Sequence, residues 1–265
     1  TIEKSQYLMI DFHNHILPNV DDGSKSMEMT LNMLRTASNQ GIKKIINTTH
    51  LQHPKMDGKN TDFNYIQDIT NKVIDKAKSN GIDIDIKIAS EVYYLPNLCE
   101  LIDNPIATIN KYMLIEFHSV IVPNNFEETF FQLKLKGITP ILAHPERYRF
   151  VQEDINKLEK ISEMGVLFQI DAGSLIGNFG VKARKTSINM LSNGYCHLIG
   201  SDAHNDSRRD FCLKDAYSII RSDQTVDTLK RNSEKLFKGK GELEHVKHNL
   251  NKNFFEILKE KVLNT

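Results

Sequence analysis

The stretch Leu8-Met9-Ile10-Asp11-Phe12-His13-Asn14-His15 decides how this chain reads. Its apolar start predicts a strand, and its two histidines stand two positions apart. Side chains alternate along a strand, so His13 and His15 point to the same side and can reach one metal ion. Asp21-Asp22-Gly23 follows within the next turn of chain.

Working outward, one punctuation mark recurs: a helical pattern, then Gly, then a short apolar run. Gly41 precedes Ile42-Lys43-Lys44-Ile45-Ile46, and Gly81 precedes Ile82-Asp83-Ile84-Asp85-Ile86. Gly137, Gly165 and Gly194 precede the runs at 138–142, 166–170 and 195–199. Gly just past a helix takes the left-handed conformation without steric penalty, so these joints predict repeated helix-to-strand connections. The segments before them carry helical stripes (Met27, Leu31, Leu34; Ile66, Ile69, Val73; Ile155, Leu158, Ile161), which are core faces. With the first strand and Tyr112-Met113-Leu114-Ile115-Glu116-Phe117, about seven strands alternate with helices.

The chemical residues stand where those strands end. Strand one ends with His13 and His15, with Asp22 in the loop that follows. Strand two ends Thr48-Thr49-His50, strand three Ala89-Ser90-Glu91, strand four Ile115-Glu116 and strand five Ala143-His144. Strand seven ends Ser201-Asp202-Ala203-His204, and strand six adds only Asp171, as a supporting group. An open doubly wound sheet would gather such groups at one switch point. Polar strand ends all the way round favour a closed or nearly closed barrel, and 265 residues suit one α/β barrel.

Five histidines and four carboxylates exceed what one ion takes, so two or three ions sharing carboxylates are expected. Imidazole-rich sites suit Mn²⁺, Fe²⁺ or Zn²⁺, not the all-oxygen sites of Ca²⁺ or Mg²⁺. Three divalent ions against Asp22, Glu91, Glu116 and Asp202 leave a net positive charge. That favours an anionic substrate such as a phosphate monoester.

Composition narrows the alternatives. Lys+Arg and Asp+Glu are both 34, without the basic stripe of a nucleic-acid binder. No apolar run approaches a membrane span, and no signal peptide is visible. Cys99, Cys196 and Cys212 are odd in number and lack a C-x-x-C pattern, so they read as thiols in a reducing, cytoplasmic compartment. None sits in a phosphate-binding loop, which argues against a cysteine phosphatase. Residues 51–62, with His53, Pro54, Gly58 and Asn60, read as a loop or lid over the strand ends. The tail from Lys238 carries Leu243, Val246, Leu250, Phe254 and Ile257 at helical spacing and is expected to form an amphipathic helix over about 238–265. His245 and His248 in it read as surface residues.

The order H-x-H, T-H, Glu, Glu, His, D-x-H resembles the polymerase and histidinol phosphatase (PHP) superfamily. The longer strings D-F-H-N-H-I-L-P-N-V-D-D-G, S-E-V-Y-Y, I-E-F, A-H-P-E-R-Y and S-D-A-H-N resemble one branch of it. That branch is the bacterial manganese-dependent protein-tyrosine phosphatases of capsule and exopolysaccharide systems. The resemblance runs from about Met9 to about Asn205 and implies one phosphatase domain over 1–265, a distorted TIM-like (β/α)7 barrel. It implies that His13, His15, Glu91 and Asp202 hold one metal. Glu91, Glu116 and His144 would hold a second, and Asp22, His50 and His204 a third. It further implies attack of a metal-bridging hydroxide on phosphorus, with Arg147 binding phosphate. Arg208 matches a second substrate arginine, with Arg209 as the alternative. The implied substrate is an autophosphorylated bacterial tyrosine kinase; the sequence leaves the oligomeric state open. His118 is an extra rim group, a general acid or a plain polar residue.

Three other readings compete. A phosphatase of the histidinol-phosphate type would need a deep polar pocket with extra anchors. An amidohydrolase shares the early H-x-H and a late Asp, but its bridging ligand is usually a Lys, or a Glu in its place, whereas here strands three and four both end in Glu and strand seven adds D-x-H. An inactive scaffold would be expected to have lost ligands, and all nine stand here.

Overall fold

Alternation along each strand decides which side chains fill the barrel and which face the helices. The computed structural model describes residues 7–56, 62–220 and 222–246. Its seven parallel strands lie in sequence order: β1 (Met9–Asp11), β2 (Ile42–Leu51), β3 (Asp85–Tyr93), β4 (Tyr112–Glu116), β5 (Thr139–Ala143), β6 (Leu167–Asp171) and β7 (Leu198–Gly200). Helices α1 (Met27–Asn39), α2 (Phe63–Ser79), α3 (Phe126–Leu135), α4 (Arg149–Glu153), α5 (Lys157–Glu163), α6 (Ala172–Ile176), α7 (Gly180–Asn193), α8 (Leu213–Ile219) and α9 (Asp223–Lys238) connect and follow them. The first and last strands meet just past their ends. Asn14 bridges Ala203 in parallel, Asp202 N donates to His13 O at 2.7 Å, and His15 N donates to Ala203 O at 2.8 Å. The barrel is therefore nearly closed, as expected.

Ile10, Phe12, Ile46, Ala89, Leu114, Ile141 and Leu198 form the interior core, capped from below by Leu236, Phe237 and Leu243. Two residues further along β2, β3, β4 and β6, the same inward face turns polar. Ile46 leads to Thr48 and His50, Ala89 to Glu91, Leu114 to Glu116, and Leu167 to Gln169 and Asp171. One period-2 pattern thus writes an apolar floor and a chemical rim on the same strands. The outward faces pack on the helices in a larger core that includes Met33, Leu34, Ile66, Val73, Leu158 and Ile161.

The five predicted helix-to-strand glycines all take positive φ. Three expected spans differ from what forms; the run at 195–199 joins the sheet only from Leu198. Ile82-Asp83-Ile84 alternates like a strand, yet β3 starts only at Asp85, where Lys44 of β2 becomes its partner. The tail differs more. The helix expected from Lys238 is instead where α9 ends, at Gly239 with φ +67°, and Gly241 follows at φ +83°. Residues 239–246 are non-helical and fold back along α9, burying Leu243 and Val246. Asn232 clips this return: its Nδ2 donates to Glu244 O and its Oδ1 accepts from Glu244 N, both at 2.8 Å. Leu250, Phe254, Ile257 and His248 lie outside the described residues, as does part of the expected lid, at 57–61. Among the described residues no helix is long and apolar enough to cross a membrane.

His245 is exposed, as expected, but it is engaged. His197, fully buried, accepts from Phe168 N at Nδ1 (3.1 Å), so its Nε2 carries the proton and donates to His245 Nδ1 at 3.0 Å. Burial, and then the neighbouring His245, lower the His197 pKa from 6.5 to about 3. A histidine depressed in the fold is protonated first in the unfolded chain. The stability it contributes is full above pH 6.5 and drains as pH falls from 6.5 toward about 3. At pH 5 the loss is about 2 kcal/mol. His197→Gln, which cannot titrate, is expected to be less stable than the parent at pH 7.5, with the gap narrowing at pH 5. Parallel thermal melts in chelator, which removes any metal contribution, check this; a gap that stays constant contradicts it.

Candidate metal centre

The rim is built around two carboxylates. Glu91, fully buried at the end of β3, points Oε2 at His13 Nε2 (3.2 Å), His50 Nδ1 (3.3 Å) and His15 Nε2 (3.4 Å), while Oε1 lies 2.9 Å from His144 Nε2. Asp202 points Oδ1 at His13 and His15 Nε2, each 3.4 Å away. Its Oδ2 accepts from Arg147 Nη1 at 2.5 Å and Arg209 Nη2 at 2.7 Å. Asp22 Oδ1 lies 3.3 Å from both His50 Nε2 and His204 Nε2. Glu116 sits 3.7 Å from His50 and 3.9 Å from His144.

Three groups have ligand atoms close enough to share an ion: His13, His15, Glu91 and Asp202; His15, Asp22, His50 and His204; and His50, Glu91 and Glu116. The first reproduces one expected ligand set. The second adds His15 to another expected set. The third has His50 where His144 was expected, although His144 touches both carboxylates of that group. The structure therefore brings all nine expected ligands together on one rim.

The donor set fits divalent cations on three observations. His13 Nε2, His15 Nε2, Glu116 Oε2 and Asp202 Oδ1 are buried and make no hydrogen bond. Buried polar atoms left this way are costly, and a cation would satisfy all four. The outer ring nitrogens are already engaged: His13 Nδ1 donates to Gln169 Oε1 at 3.0 Å, His15 Nδ1 pairs with Asp21 Oδ2 at 2.8 Å, and His204 Nδ1 meets Asp202 O at 2.8 Å. Each such bond turns the Nε2 lone pair toward the cluster, as metal-ligating histidines require. Finally, His144 and Asp202 sit at φ +34° and +49°, strained for residues with a Cβ, so the surrounding fold is forcing both side chains inward.

The metal-free charge state follows. Burial disfavours the His13 imidazolium, but Glu91 and Asp202 outweigh it and raise the pKa to about 9. His15 is raised in the same way against its burial by Asp21. Burial, and then the nearby Glu91 charge, push the Glu116 carboxyl up to about 8. Burial and the adjacent Arg147 bring His144 down to about 4. Protons thus occupy atoms that a cation would take, and metal uptake must release them.

Close approach of backbones makes the rim possible. A Cβ on Gly23 would lie 2.2 Å from His15 O, and one on Gly200 2.6 Å from His13 Cβ. Gly is thus required where the Asp21-Asp22 loop and the end of β7 press on the first strand.

Arg147 enters the rim with a quarter of its side chain exposed, bound to Asp202 and, at 3.2 Å, to Asp171. Arg208 does not: it is exposed and lines no part of the metal cavity, while Arg209 does line it and binds Asp202. In this loop Arg209 N and Ser207 N both donate to Asn205 Oδ1, a turn that sends residue 209 inward and 208 out. His118 is exposed and accepts from Val120 N and Ile121 N, a plain polar rim residue. His53 lines the cavity, 3.9 Å from Glu116.

Four supporting residues were not singled out from the sequence. Asp11 accepts from His13 N, Asn14 Nδ2 and Ser201 N and so stitches β1 to β7. Gln169 accepts from both His13 and His144 N. Phe179 lies under both arginines, 4.4 Å from the Arg147 and 5.6 Å from the Arg209 guanidinium carbon. Asp21 orients His15 and accepts from His50 N at 3.1 Å. Gln169, polar in an apolar strand, and Asp21, in an acidic doublet, each left a signal; Phe179 left none.

Asp21→Asn tests the support. It places an NH₂ or a weaker acceptor where two N–H groups donate, and is expected to weaken metal binding about 10- to 100-fold. A Mn²⁺ titration followed by activity reads this; unchanged affinity would remove Asp21 from the assembly.

Comparison with known proteins follows the same line. The chain is 33% identical to CapC of Staphylococcus aureus over 79% of this chain and 82% of that protein. It is also 33% identical to the tyrosine-protein phosphatase YwqE of Bacillus subtilis, over 81% of this chain and 85% of that one. A solved chain from the YwqE (Bacillus subtilis) and CpsB (Streptococcus pneumoniae) crystal structures, described as metal-dependent tyrosine phosphatases, superposes with a TM-score of 0.82. It shares 29% identity and covers 91% of this chain and 100% of that one. A variant organophosphorus hydrolase from Deinococcus radiodurans, 13% identical, superposes with a TM-score of 0.53 over 88% of this chain and 94% of that one, which shows a common barrel fold and nothing more. The family model for capsular polysaccharide synthesis, CpsB/CapC, matches residues 9–238. With the barrel, the histidine–carboxylate rim and this match spanning it, the chain belongs to the CpsB/CapC family of capsular polysaccharide synthesis.

Proposed function

We propose that this chain is a metal-dependent protein-tyrosine phosphatase. Its substrate would be a bacterial tyrosine kinase that regulates capsular or exopolysaccharide synthesis, and its native ions manganese, with iron or zinc as substitutes. The observation that carries this is Asp202, whose Oδ1 faces the imidazoles while its Oδ2 holds two guanidiniums. One carboxylate thus ties a cation site to an anion site.

His13, His15, Glu91 and Asp202 would hold one ion; Asp22, His50 and His204 another; and Glu91, Glu116 and His144 a third. When bound, such ions act as Lewis acids that lower the pKa of water and neutralise charge on phosphoryl oxygens. The chain's own contribution is positioning. Asp202 and Asp171 fix Arg147, and Asp202 fixes Arg209, which leaves further N–H donors on both guanidiniums for the oxygens of an anion. The cavity is about 150 Å³, room for about five waters. Shared with bound ions, that space would take a phosphoryl group and leave the rest of the substrate outside. That favours a protein-borne phosphotyrosine over a histidinol-phosphate type substrate, which would need a deeper pocket.

The test is hydrolysis of a phosphotyrosine peptide by metal-stripped protein resupplied with Mn²⁺ or left in chelator, beside histidinol phosphate and a phosphoserine peptide. Mn²⁺-dependent, tyrosine-selective release is expected. Release from histidinol phosphate alone would move the chain to small-molecule metabolism.

A further inference from the structure

A second, larger concavity of about 740 Å³ adjoins the metal cavity, and Arg147 lines both. Its walls are the Ser119-Val120 segment after β4, the α4 region from Arg149 to Ile155, and the face of α7 carrying Lys182, Lys185 and Asn189. Four cations line it, Arg147, Arg149, Lys182 and Lys185, against one carboxylate, Glu153. That carboxylate is already taken by Arg149 Nε at 2.8 Å. Lys182 and Lys185 are exposed and make no ion pair among the described residues. They stand three positions apart on α7, one turn after Phe179 supports the two rim arginines, so the same helix that positions the anion site carries its positive charge outward.

We propose that this groove is the substrate-docking site and selects phosphotyrosine segments flanked by acidic residues. The inference rests on the phosphatase reading above and adds to it the substrate's chemistry. The small cavity has room for a phosphoryl group and not for the flanking polypeptide, and the groove that shares Arg147 with it is cationic. Carboxylates spaced along an extended segment can meet Lys182 and Lys185 in turn, while Val120, half-exposed at the edge, offers an apolar contact. Charges of this exposure act mainly on encounter and discrimination, and their effect is screened by salt.

Three peptides with one central phosphotyrosine and glutamate, glutamine or lysine flanks test this on the full, Mn²⁺-loaded chain. Two exposed charge contacts, attractive for glutamate and repulsive for lysine, predict a kcat/KM ratio of about tenfold for glutamate over lysine flanks. The difference should sit mainly in KM and fade as salt rises from about 50 to about 500 mM. Lys182→Glu/Lys185→Glu should collapse or reverse the ratio, and Lys182→Gln/Lys185→Gln should lower it. Because the readout is a ratio, a general loss of activity in a variant cancels. Equal rates on all three flanks, or a ratio untouched by the double variants, would overturn the proposal. Anisotropy with non-hydrolysable difluorophosphonomethyl versions of the peptides decides it without turnover. If nothing is hydrolysed, the phosphatase reading fails. Flank-dependent binding lost in the double variants would still sustain the groove, and flank-independent binding would refute it.

Discussion

Glu91→Gln is expected to lower phosphotyrosine hydrolysis by about a thousandfold or more and to reduce the metal content of the purified protein. Both oxygens of this carboxylate are in use, toward His13, His15 and His50 on one side and His144 on the other. Gln keeps one acceptor, and its NH₂ would face imidazole nitrogens that must present lone pairs to a cation. The buried negative charge is lost as well, and breaking a buried ionic cluster from one side costs about 3–5 kcal/mol. The variant is therefore expected to melt lower than the parent in chelator too, which separates it from a change that touches only catalysis. Elemental analysis, steady-state rates and melts on one preparation check all three. Parental activity with full metal content would exclude Glu91 as a shared ligand and with it the arrangement proposed here.

The site was legible because it obeys the period of the strands. Ile46, Thr48 and His50, or Ala89 and Glu91, share an inward face by alternation alone, and the H-x-H spacing of the first strand announces the same geometry. What the sequence hid depends on neighbours in space. Ile82-Asp83-Ile84 has a strand pattern but no partner, because pairing with β2 begins only at Lys44 and Asp85. Arg208 and Arg209 are chemically equivalent neighbours, and only the turn around Asn205 decides which one faces Asp202. Leu243 and Val246 keep helical spacing, yet Gly239 and Gly241 turn the chain, and Asn232 fixes the return. Those glycines were visible in the sequence; the asparagine that receives the turned chain could not be known without the fold. Phe179 is the extreme case, an aromatic residue after a helix whose role exists only because two arginines from other loops arrive above it.

Removing the metal is expected to lower the melting temperature by about 8–16 °C at neutral pH without unfolding the chain. An ion present at about a thousand times its dissociation constant adds about 4 kcal/mol, and a domain of this size shifts by about 2–4 °C per kcal/mol. The metal-free barrel survives because its rim compensates itself: protonated His13 and His15 sit among Glu91, Asp202 and Asp21. That compensation depends on pH. The His13 pKa is raised from 6.5 to about 9, so the stability it gives the metal-free chain is full below pH 6.5 and is lost as pH rises through about 9. A cation competes with those same protons, so its binding strengthens over the interval in which the metal-free chain weakens. The difference in melting temperature between Mn²⁺-loaded and chelated protein is therefore expected to widen steadily from pH 6.5 to pH 9. Melts at three or four pH values in that range, each with and without chelator, measure it. A gap that narrows with pH would mean that protons and metal do not compete at His13, and no gap at any pH would mean that this rim binds no ion.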